Sequence, residues 1–251
     1  MTPRIIPLNF GDFPGIEKSV FTLAHNQGVK MMAPCLGYLI QVEGQNILVD
    51  AGPSTGESPI KYHNYQIQRP KGWPEILAEA GVTPQLIDTV VFTHLHWDHC
   101  YNLEHLKETT FLVQREELRY AIAPLPPHRV AYEVGIPGLT PSWLRVVDRI
   151  RVIDGDAKIA AGVELVHLPG HTPGFQGVAV KTSGGTYLIV GDNVALYETW
   201  AGRGLQSHLV SGIYVNLEDY FRSVARIEQI ADADHILPGH DPSVLKRPVY
   251  E

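Results

Sequence analysis

A dense group of metal-binding side chains occurs at residues 94–99, where the sequence reads His-Leu-His-Trp-Asp-His. Imidazole nitrogens and carboxylate oxygens are ligands that suit Zn²⁺ in proteins. Alternate side chains of an extended chain point the same way, so we expect His94 and His96 to face one side. Leu95 and Trp97 would then pack into the interior. The segment therefore predicts a metal centre.

The two residues that end this segment, Asp98 and His99, predict a second ion. They follow in a turn, and adjacent residues there cannot easily reach the ion held by His94 and His96. Closely spaced ligands of this kind are typical of hydrolytic sites with two metal ions a few ångströms apart. Two ions need further ligands, so we expect other parts of the chain to supply them.

Three further loops each place a candidate ligand after a predicted strand. His171 lies in Pro-Gly-His-Thr-Pro-Gly, Asp192 in Gly-Asp-Asn and His240 in Pro-Gly-His-Asp. Glycine beside a ligand lets the backbone approach closely, and proline restricts the loop. Each loop taken alone is explained equally well as ordinary structure. Their combination with residues 94–99 favours a shared site.

Strands and helices alternate along the chain and would position these loops. Residues 89–93 (TVVFT) predict the strand that leads into His94, and residues 36–50 predict a hairpin with its turn near Gly44. Further predicted strands cover residues 110–113, 149–153, 163–168, 176–181 and 186–190. Predicted helices cover residues 73–80, a segment from residue 115, and residues 217–230. The last of these helices follows an N-cap at Asn216. This order, without internal repeats, predicts one domain over residues 1–251.

The composition excludes several classes of protein. The net charge of −7 and 44% hydrophobic content are typical of a globular protein with a sizeable core. No run of Lys or Arg is present, so we expect no nucleic-acid partner. No segment approaches the roughly 18 apolar residues of a membrane span, and the N-terminus does not resemble a signal peptide, so we expect no membrane partner and a cytoplasmic protein. Cys35 and Cys100 predict ordinary buried thiols.

Taken together, the motifs resemble those of the metallo-β-lactamase superfamily. They are Asp50 in LVDAG, THLHWDH at residues 93–99, His171 in PGHTPG, Asp192 in GDN and His240 in PGHD, in the family's order over nearly the whole chain. The phrases THLHWDHC and LPGHDP are most similar to the acyl-homoserine lactonase group of dinuclear zinc hydrolases. The resemblance implies an α/β fold, the four-layer αββα sandwich, with the site at one edge between two sheets.

The resemblance also implies a role for each candidate ligand. His94, His96 and His171 would hold one zinc ion, and Asp98, His99 and His240 would hold the second. Asp192 would bridge the two ions, and Asp50 would support the ligand loop from behind. The same ligand types accept Mn, Fe or Co, so the sequence leaves the native metal open.

For such a site the implied reaction is hydrolysis of a small-molecule lactone similar to an N-acyl homoserine lactone. A hydroxide that bridges the metals would attack the carbonyl, and Asp98 would orient it and pass its proton to the leaving alkoxide. The lactonase group usually carries a tyrosine three residues after the bridging aspartate, where this chain has Ala195. Tyr197 is the candidate catalytic replacement, although an ordinary packed tyrosine explains it equally well.

Other functions compete with this interpretation. A glyoxalase II-like thioesterase has similar metal motifs, but it adds a C-terminal helical region for glutathione, which we do not expect after His240. Hydrolysis of another cyclic ester or amide stays open. Some zinc β-lactamases use a cysteine ligand where this chain has Asp192, which disfavours penicillin hydrolysis. A metal-binding scaffold or sensor is the non-enzyme alternative, and a homodimer is left open.

Overall fold

The computed structural model describes residues 2–251 and contains two β-sheets. The first sheet has six strands in chain order, with β1–β3 antiparallel and β3–β6 parallel. Its strands are β1 (Arg4–Glu17), β2 (Lys30–Val42), β3 (Gln45–Val49), β4 (Thr89–Val91), β5 (Thr110–Gln114) and β6 (Ile150–Ile153).

The second sheet has five strands in the order β11-β10-β9-β8-β7. They are β7 (Ala157–Ala160), β8 (Val163–His167), β9 (Gln176–Thr182), β10 (Gly185–Gly191) and β11 (Ile236–Pro238). Only the β10–β11 pair is parallel. The α-helices are α1 (Trp73–Glu79), α2 (Arg115–Ile122), α3 (Tyr197–Ala201) and α4 (Leu217–Ile230).

Successive side chains of the central strands point alternately into two different hydrophobic cores. In β3, Ile47 and Val49 face the core between the sheets, whereas Leu48 faces the outer core beneath α1. In β10, Tyr187 and Ile189 likewise belong to the core between the sheets. This period of two is expected for strands buried on both faces. The two sheets therefore pack face to face.

Helices cover the outer faces of both sheets. Trp73 and Leu77 of α1 pack with the outward-facing residues of β3, β4 and β5. Ile227 of α4 packs with the outward-facing residues of β10, including Leu188. The order of layers is helix, sheet, sheet, helix, which confirms the αββα sandwich that the motifs implied.

A buried glutamine joins the two sheets beside the strand ends. The Gln176 side chain in β9 donates hydrogen bonds from Nε2 to the carbonyls of Phe92 and Leu112, at 2.8 and 3.2 Å. Its backbone N–H donates to the Thr93 carbonyl. These bonds fix the start of the histidine segment against the second sheet.

Most local predictions agree with the structure. The hairpin turn falls at Glu43 and Gly44, both with positive φ, as two-residue hairpin turns require. Helix α4 has the predicted bounds, and Asn216 Oδ1 accepts from the N–H groups of Glu218 and Asp219. The strand predicted over residues 89–93 ends earlier, at Val91.

Two strands, β1 and β7, are not predicted by the sequence pattern. Pro7, Gly11 and Pro14 interrupt the pattern of β1, which tolerates them because it is an edge strand with register shifts. None of the helices between residues 2 and 251 is long and apolar enough to cross a membrane.

Candidate metal centre

The seven predicted ligands come together where strands of both sheets end. His94–His99 follow β4, Asp192 follows β10 and His240 follows β11, while His171 lies in the loop after β8. The five histidines are all buried. Asp98 and Asp192 are slightly more accessible, with side chains 14% and 10% exposed. The structure therefore assembles one polar cluster from sequence positions that are far apart.

The cluster divides into two groups of ligand-type atoms. The first group is His94, His96 and His171, and the second group is Asp98, His99 and His240; within each group these atoms lie within 4.8 Å of one another. A third set that meets the same limit, His94, His99 and Asp192, connects the two groups. In the first group His96 Nδ1 approaches His171 Nε2 to 3.2 Å. In the second group Asp98 Oδ2 lies 3.7 Å from His99 Nε2. Each group is compact enough to surround one ion.

Asp192 lies between the two groups with one oxygen toward each. Its Oδ2 lies 3.5 Å from His171 Nε2 and 3.9 Å from His94 Nε2. Its Oδ1 lies 3.1 Å from His240 Nε2 and 3.4 Å from His99 Nε2. A carboxylate in this arrangement can offer one oxygen to each of two ions.

Hydrogen bonds on the far side of the rings fix three histidines. His99 Nδ1 donates to Asp50 Oδ2 at 2.8 Å, and His171 Nδ1 donates to the Ile213 carbonyl at 2.7 Å. His240 Nδ1 donates to the Pro34 carbonyl at 2.8 Å. A proton on Nδ1 leaves the Nε2 lone pair directed into the cluster, which is the tautomer that a metal requires.

His94 is fixed through Thr93 rather than directly. Thr93 Oγ1 donates to Asp50 Oδ2 at 2.8 Å and lies 3.0 Å from His94 Nδ1, from which it can accept. Asp50 Oδ1 also accepts from the Thr93 N–H. Asp50 therefore supports the histidine segment from behind, as the motif resemblance implied, and it does so with a positive φ of 58°.

Three buried atoms at the centre have no hydrogen-bond partner among residues 2–251: His94 Nε2, His99 Nε2 and Asp192 Oδ1. An unsatisfied buried polar group costs about 1–3 kcal/mol. Cations held by the two groups would supply the missing partner of each of these atoms. The residues present therefore fit a metal site.

The two groups of the cluster differ in charge state. Burial and neighbouring imidazoles lower the pKa of His94 and His96 well below the usual histidine value, so both rings are neutral. Burial would also lower the pKa of His99 and His240, but neighbouring carboxylates outweigh it and raise the pKa of both rings. These two rings in turn hold the pKa of Asp192 well below its usual range, although burial alone would raise it. A metal at the second group would therefore displace protons from His99 and His240, because it binds neutral imidazole.

Aromatic side chains lie against the second group. The Phe21 ring centroid is 4.9 Å from that of His240, and the Phe13 centroid is 6.0 Å from it. Phe13 also makes edge contacts with Trp97 and Tyr65, at 5.8 and 5.0 Å. The cluster thus has an apolar wall on the side of His240.

The structure does not bring Tyr197 to this cluster, contrary to the catalytic role suggested for it. Its hydroxyl donates to the Ile236 carbonyl at 2.9 Å, and its ring packs against the core between the sheets. The start of α3 at Tyr197 fixes this direction. Ala195 is buried, and its carbonyl accepts from the His240 N–H.

A buried carboxylate that no sequence motif predicts lies beside the first group. Glu117, in the first turn of α2, accepts hydrogen bonds from Leu95 and from the loop that holds His171. Nothing local in Arg-Glu-Glu distinguishes it from the exposed Glu116. The aromatic wall was missed as well, because Phe13 lies on the unpredicted strand β1.

Comparison with known protein families identifies the superfamily of the chain. The model of the metallo-beta-lactamase superfamily matches residues 33–240, a range that contains all seven clustered side chains. The chain belongs to the metallo-beta-lactamase superfamily. A metal site at the cluster is in keeping with this membership and with the arrangement of its atoms.

Within the superfamily, the chain is similar to curated N-acyl homoserine lactonases. AiiA from Bacillus thuringiensis subsp. kurstaki is 28% identical over 189 residues, which cover 70% of each chain. AttM from Azorhizobium caulinodans is 30% identical over 181 residues, which cover 68% of this chain and 65% of AttM. The predicted resemblance to the lactonase group is confirmed.

Solved structures of the superfamily share the fold over almost the whole chain. An AiiA variant from B. thuringiensis with N-decanoyl-L-homoserine bound at its active site superposes with a TM-score of 0.74 at 22% identity, covering 98% of this chain and 96% of AiiA. AidC, a dizinc quorum-quenching lactonase, gives a TM-score of 0.71 at 14% identity, covering 96% and 88%.

Metal binding should stabilise the protein against heat, because the ion binds a site that the unfolded chain lacks. A ligand at a thousandfold excess over its Kd contributes about 4 kcal/mol. We expect a chelator to lower Tm and added Zn²⁺ to restore it, as measured by differential scanning calorimetry.

His171→Ala should reduce this Zn²⁺-dependent rise in Tm, since it removes one nitrogen of the first group. The matched control is His167→Ala, four residues earlier, whose ring lies outside the cluster and contacts the Pro173 carbonyl. If Zn²⁺ raises Tm equally in both variants, His171 does not bind the metal.

Proposed function

We propose that this protein is a metal-dependent hydrolase that opens the ring of a lactone of the N-acyl homoserine lactone type. The observation that carries the proposal is Asp192, whose two oxygens face two separate groups of ligand-type atoms. The similarity to curated N-acyl homoserine lactonases supports the substrate class.

The proposed centre holds two Zn²⁺ ions. His94, His96 and His171 would hold the first ion, Asp98, His99 and His240 would hold the second, and Asp192, which lies between the groups, would serve both. When bound, such ions supply Lewis-acid chemistry that makes a water nucleophilic near neutral pH and polarises an ester carbonyl. Mn, Fe and Co suit the same donors, so the metal found in the purified protein decides its identity.

Asp98 is the proposed proton carrier. It is the most exposed carboxylate of the cluster, and its Oδ2 lies 3.7 Å from His99 Nε2 and 3.8 Å from His240 Nε2. Water adds to the lactone carbonyl carbon as the ring C–O bond breaks. Asp98 accepts the proton of that water and delivers it to the leaving alkoxide, so the product is a hydroxy acid.

The aromatic rings near the second group belong to the protein core. Phe13, Phe21 and Trp97 are buried in one hydrophobic cluster, each 6% exposed or less. Phe13 and Phe21 lie against the His240 ring, and Phe13 also contacts Trp97. Because these rings are already packed against one another, they shield His240 from water and do not offer a surface to an acyl chain.

The proposal is tested by acid release. The hydroxy acid product ionises at neutral pH, so Zn²⁺-loaded protein mixed with an N-acyl homoserine lactone should consume base in a pH-stat. Chelator-stripped protein should return to the background rate, and Zn²⁺ should restore activity.

The same assay separates the alternatives. Acid release from a glutathione thioester but not from the lactone would identify a glyoxalase II-like thioesterase, and release from cyclic amides would identify another ring hydrolase. Metal binding without turnover of any of these would favour a scaffold or sensor and would overturn the proposed activity.

Asp98→Asn should lower kcat for lactone hydrolysis by about 10²–10⁴-fold, because an amide cannot carry the proton. The metal content of the variant must be measured beside its kinetics. If Asp98→Asn keeps both metals and hydrolyses the lactone near the wild-type rate, the proposed role of Asp98 is wrong.

Tyr197→Phe should leave kcat/KM unchanged, since its hydroxyl bonds the Ile236 carbonyl. Loss of this hydrogen bond should instead lower the free energy of unfolding by about 0.5–1.5 kcal/mol. Steady-state kinetics and urea denaturation measure the two effects. A large fall in kcat at unchanged stability would restore Tyr197 to the reaction.

Several broader predictions accompany this function. We propose that residues 1–251 form one hydrolase domain, because β-strands from both halves of the chain supply ligands to one site. Its substrate is a small molecule. The cytoplasmic location and the homodimer stay predictions.

A further inference from the structure

A carboxylate outside the metal cluster connects two of its loops. Glu117 is only 1% exposed and lies in the first turn of α2. An isolated buried charge is costly unless hydrogen bonds compensate it. Glu117 contacts none of the atoms proposed to bind metal, so the metal centre as described above does not explain why it is there.

Four donors surround the two oxygens of Glu117, two on each side. Oε1 accepts from the Leu95 N–H at 2.9 Å and from the Tyr132 hydroxyl at 2.8 Å. Oε2 accepts from Thr172 Oγ1 at 2.6 Å and from the Gly174 N–H at 3.3 Å. Burial raises the pKa of Glu117, and these four bonds oppose that rise.

The partners of each oxygen belong to different parts of the first group. Leu95 lies between His94 and His96, while Thr172 directly follows His171. One carboxylate thus links the two chain segments that supply all three side chains of the first group. No corresponding bond reaches His240 of the second group, whose ring is held by Pro34.

Neighbouring residues are shaped around this link. A Cβ atom at Gly174 would lie 2.0 Å from the Glu117 backbone nitrogen, so only glycine permits this close approach. The Tyr132 ring makes an edge contact with His96, at 4.7 Å between centroids. The position of Glu117 near the N-terminus of α2 also stabilises its negative charge.

We propose that Glu117 is a positioning residue that sets the spacing between the His94–His96 segment and His171 and so determines metal affinity at the first group. The inference rests on the proposed ligand set but not on the lactone substrate. Metal affinity is therefore its readout, and a failed lactonase assay would not affect it.

Glu117→Gln is the decisive variant. An amide has about the same shape, but its NH₂ group must face either the Leu95 N–H or the Gly174 N–H. A backbone N–H cannot accept a hydrogen bond, so one of the two contacts becomes donor against donor. We expect one of the two stepwise Zn²⁺ dissociation constants to rise about 10–100-fold, the usual effect of losing a supporting group behind a ligand. The other constant should stay within about threefold. Competition with a chromophoric chelator measures both.

The matched control is Glu75→Gln. Glu75 occupies the same helix position in α1, where its carboxylate accepts from the Gly72 N–H, away from the cluster. It should change neither constant. If Glu117→Gln weakens both sites equally, or weakens neither, the proposal is wrong.

Double variants assign the weakened site. In a His171→Ala background, where the first group is already damaged, Glu117→Gln should add little. In a His240→Ala background it should keep its full effect. The reverse pattern would place Glu117 behind the second group and overturn the proposal.

If Glu117→Gln does not fold, Thr172→Val provides the test. It removes one of the four donors while keeping the size of a fully buried side chain. The same Zn²⁺ constant should then rise about fivefold, as expected for the loss of one hydrogen bond. No change in that constant would contradict the proposal.

Discussion

The gathering of buried polar atoms from distant loops into one cluster is the constraint on which this structure depends. His96 Nδ1 and His171 Nε2 lie 3.2 Å apart, and Asp192 places oxygens within 3.5 Å of imidazole nitrogens on both sides. Within residues 2–251, His94 Nε2, His99 Nε2 and Asp192 Oδ1 have no hydrogen-bond partner. The surrounding protein must therefore hold these atoms in place, and a bound metal would supply the partners that they lack.

The support comes from groups of three kinds. Asp50 and Glu117 supply buried carboxylates, the carbonyls of Pro34 and Ile213 supply backbone acceptors, and Gln176 ties the second sheet to the start of the histidine segment. Each acts on the far side of a ligand or on its backbone. The donors are thus positioned by protein contacts that do not involve an ion, as a preorganised metal site requires.

Local patterns account for what the sequence predicts well. The ligand residues stand in short motifs next to glycine and proline, and helix α4 begins at an asparagine cap that both sequence and structure identify. Short continuous apolar runs mark β3 and β10 because each lies between two cores. For these parts of the fold and the site, neighbouring residues carry enough information.

Long-range contacts account for what the sequence does not predict. Glu117 resembles any glutamate in a first helical turn until the loop at Thr172 and Gly174 folds against it. The direction of Tyr197 depends on where α3 begins, and β1 depends on being an edge strand. Such contacts join residues far apart in the chain, so no local pattern records them.

The division of the ligand loops between two sheets has a consequence for folding kinetics. His94 follows a strand of the first sheet and His240 a strand of the second, so the complete donor set exists only after the sheets have docked. Docking the sheets brings together residues that are far apart in the chain, and proteins dominated by such long-range contacts fold slowly. We therefore expect metal capture to follow the docking of the two sheets and then to slow their separation.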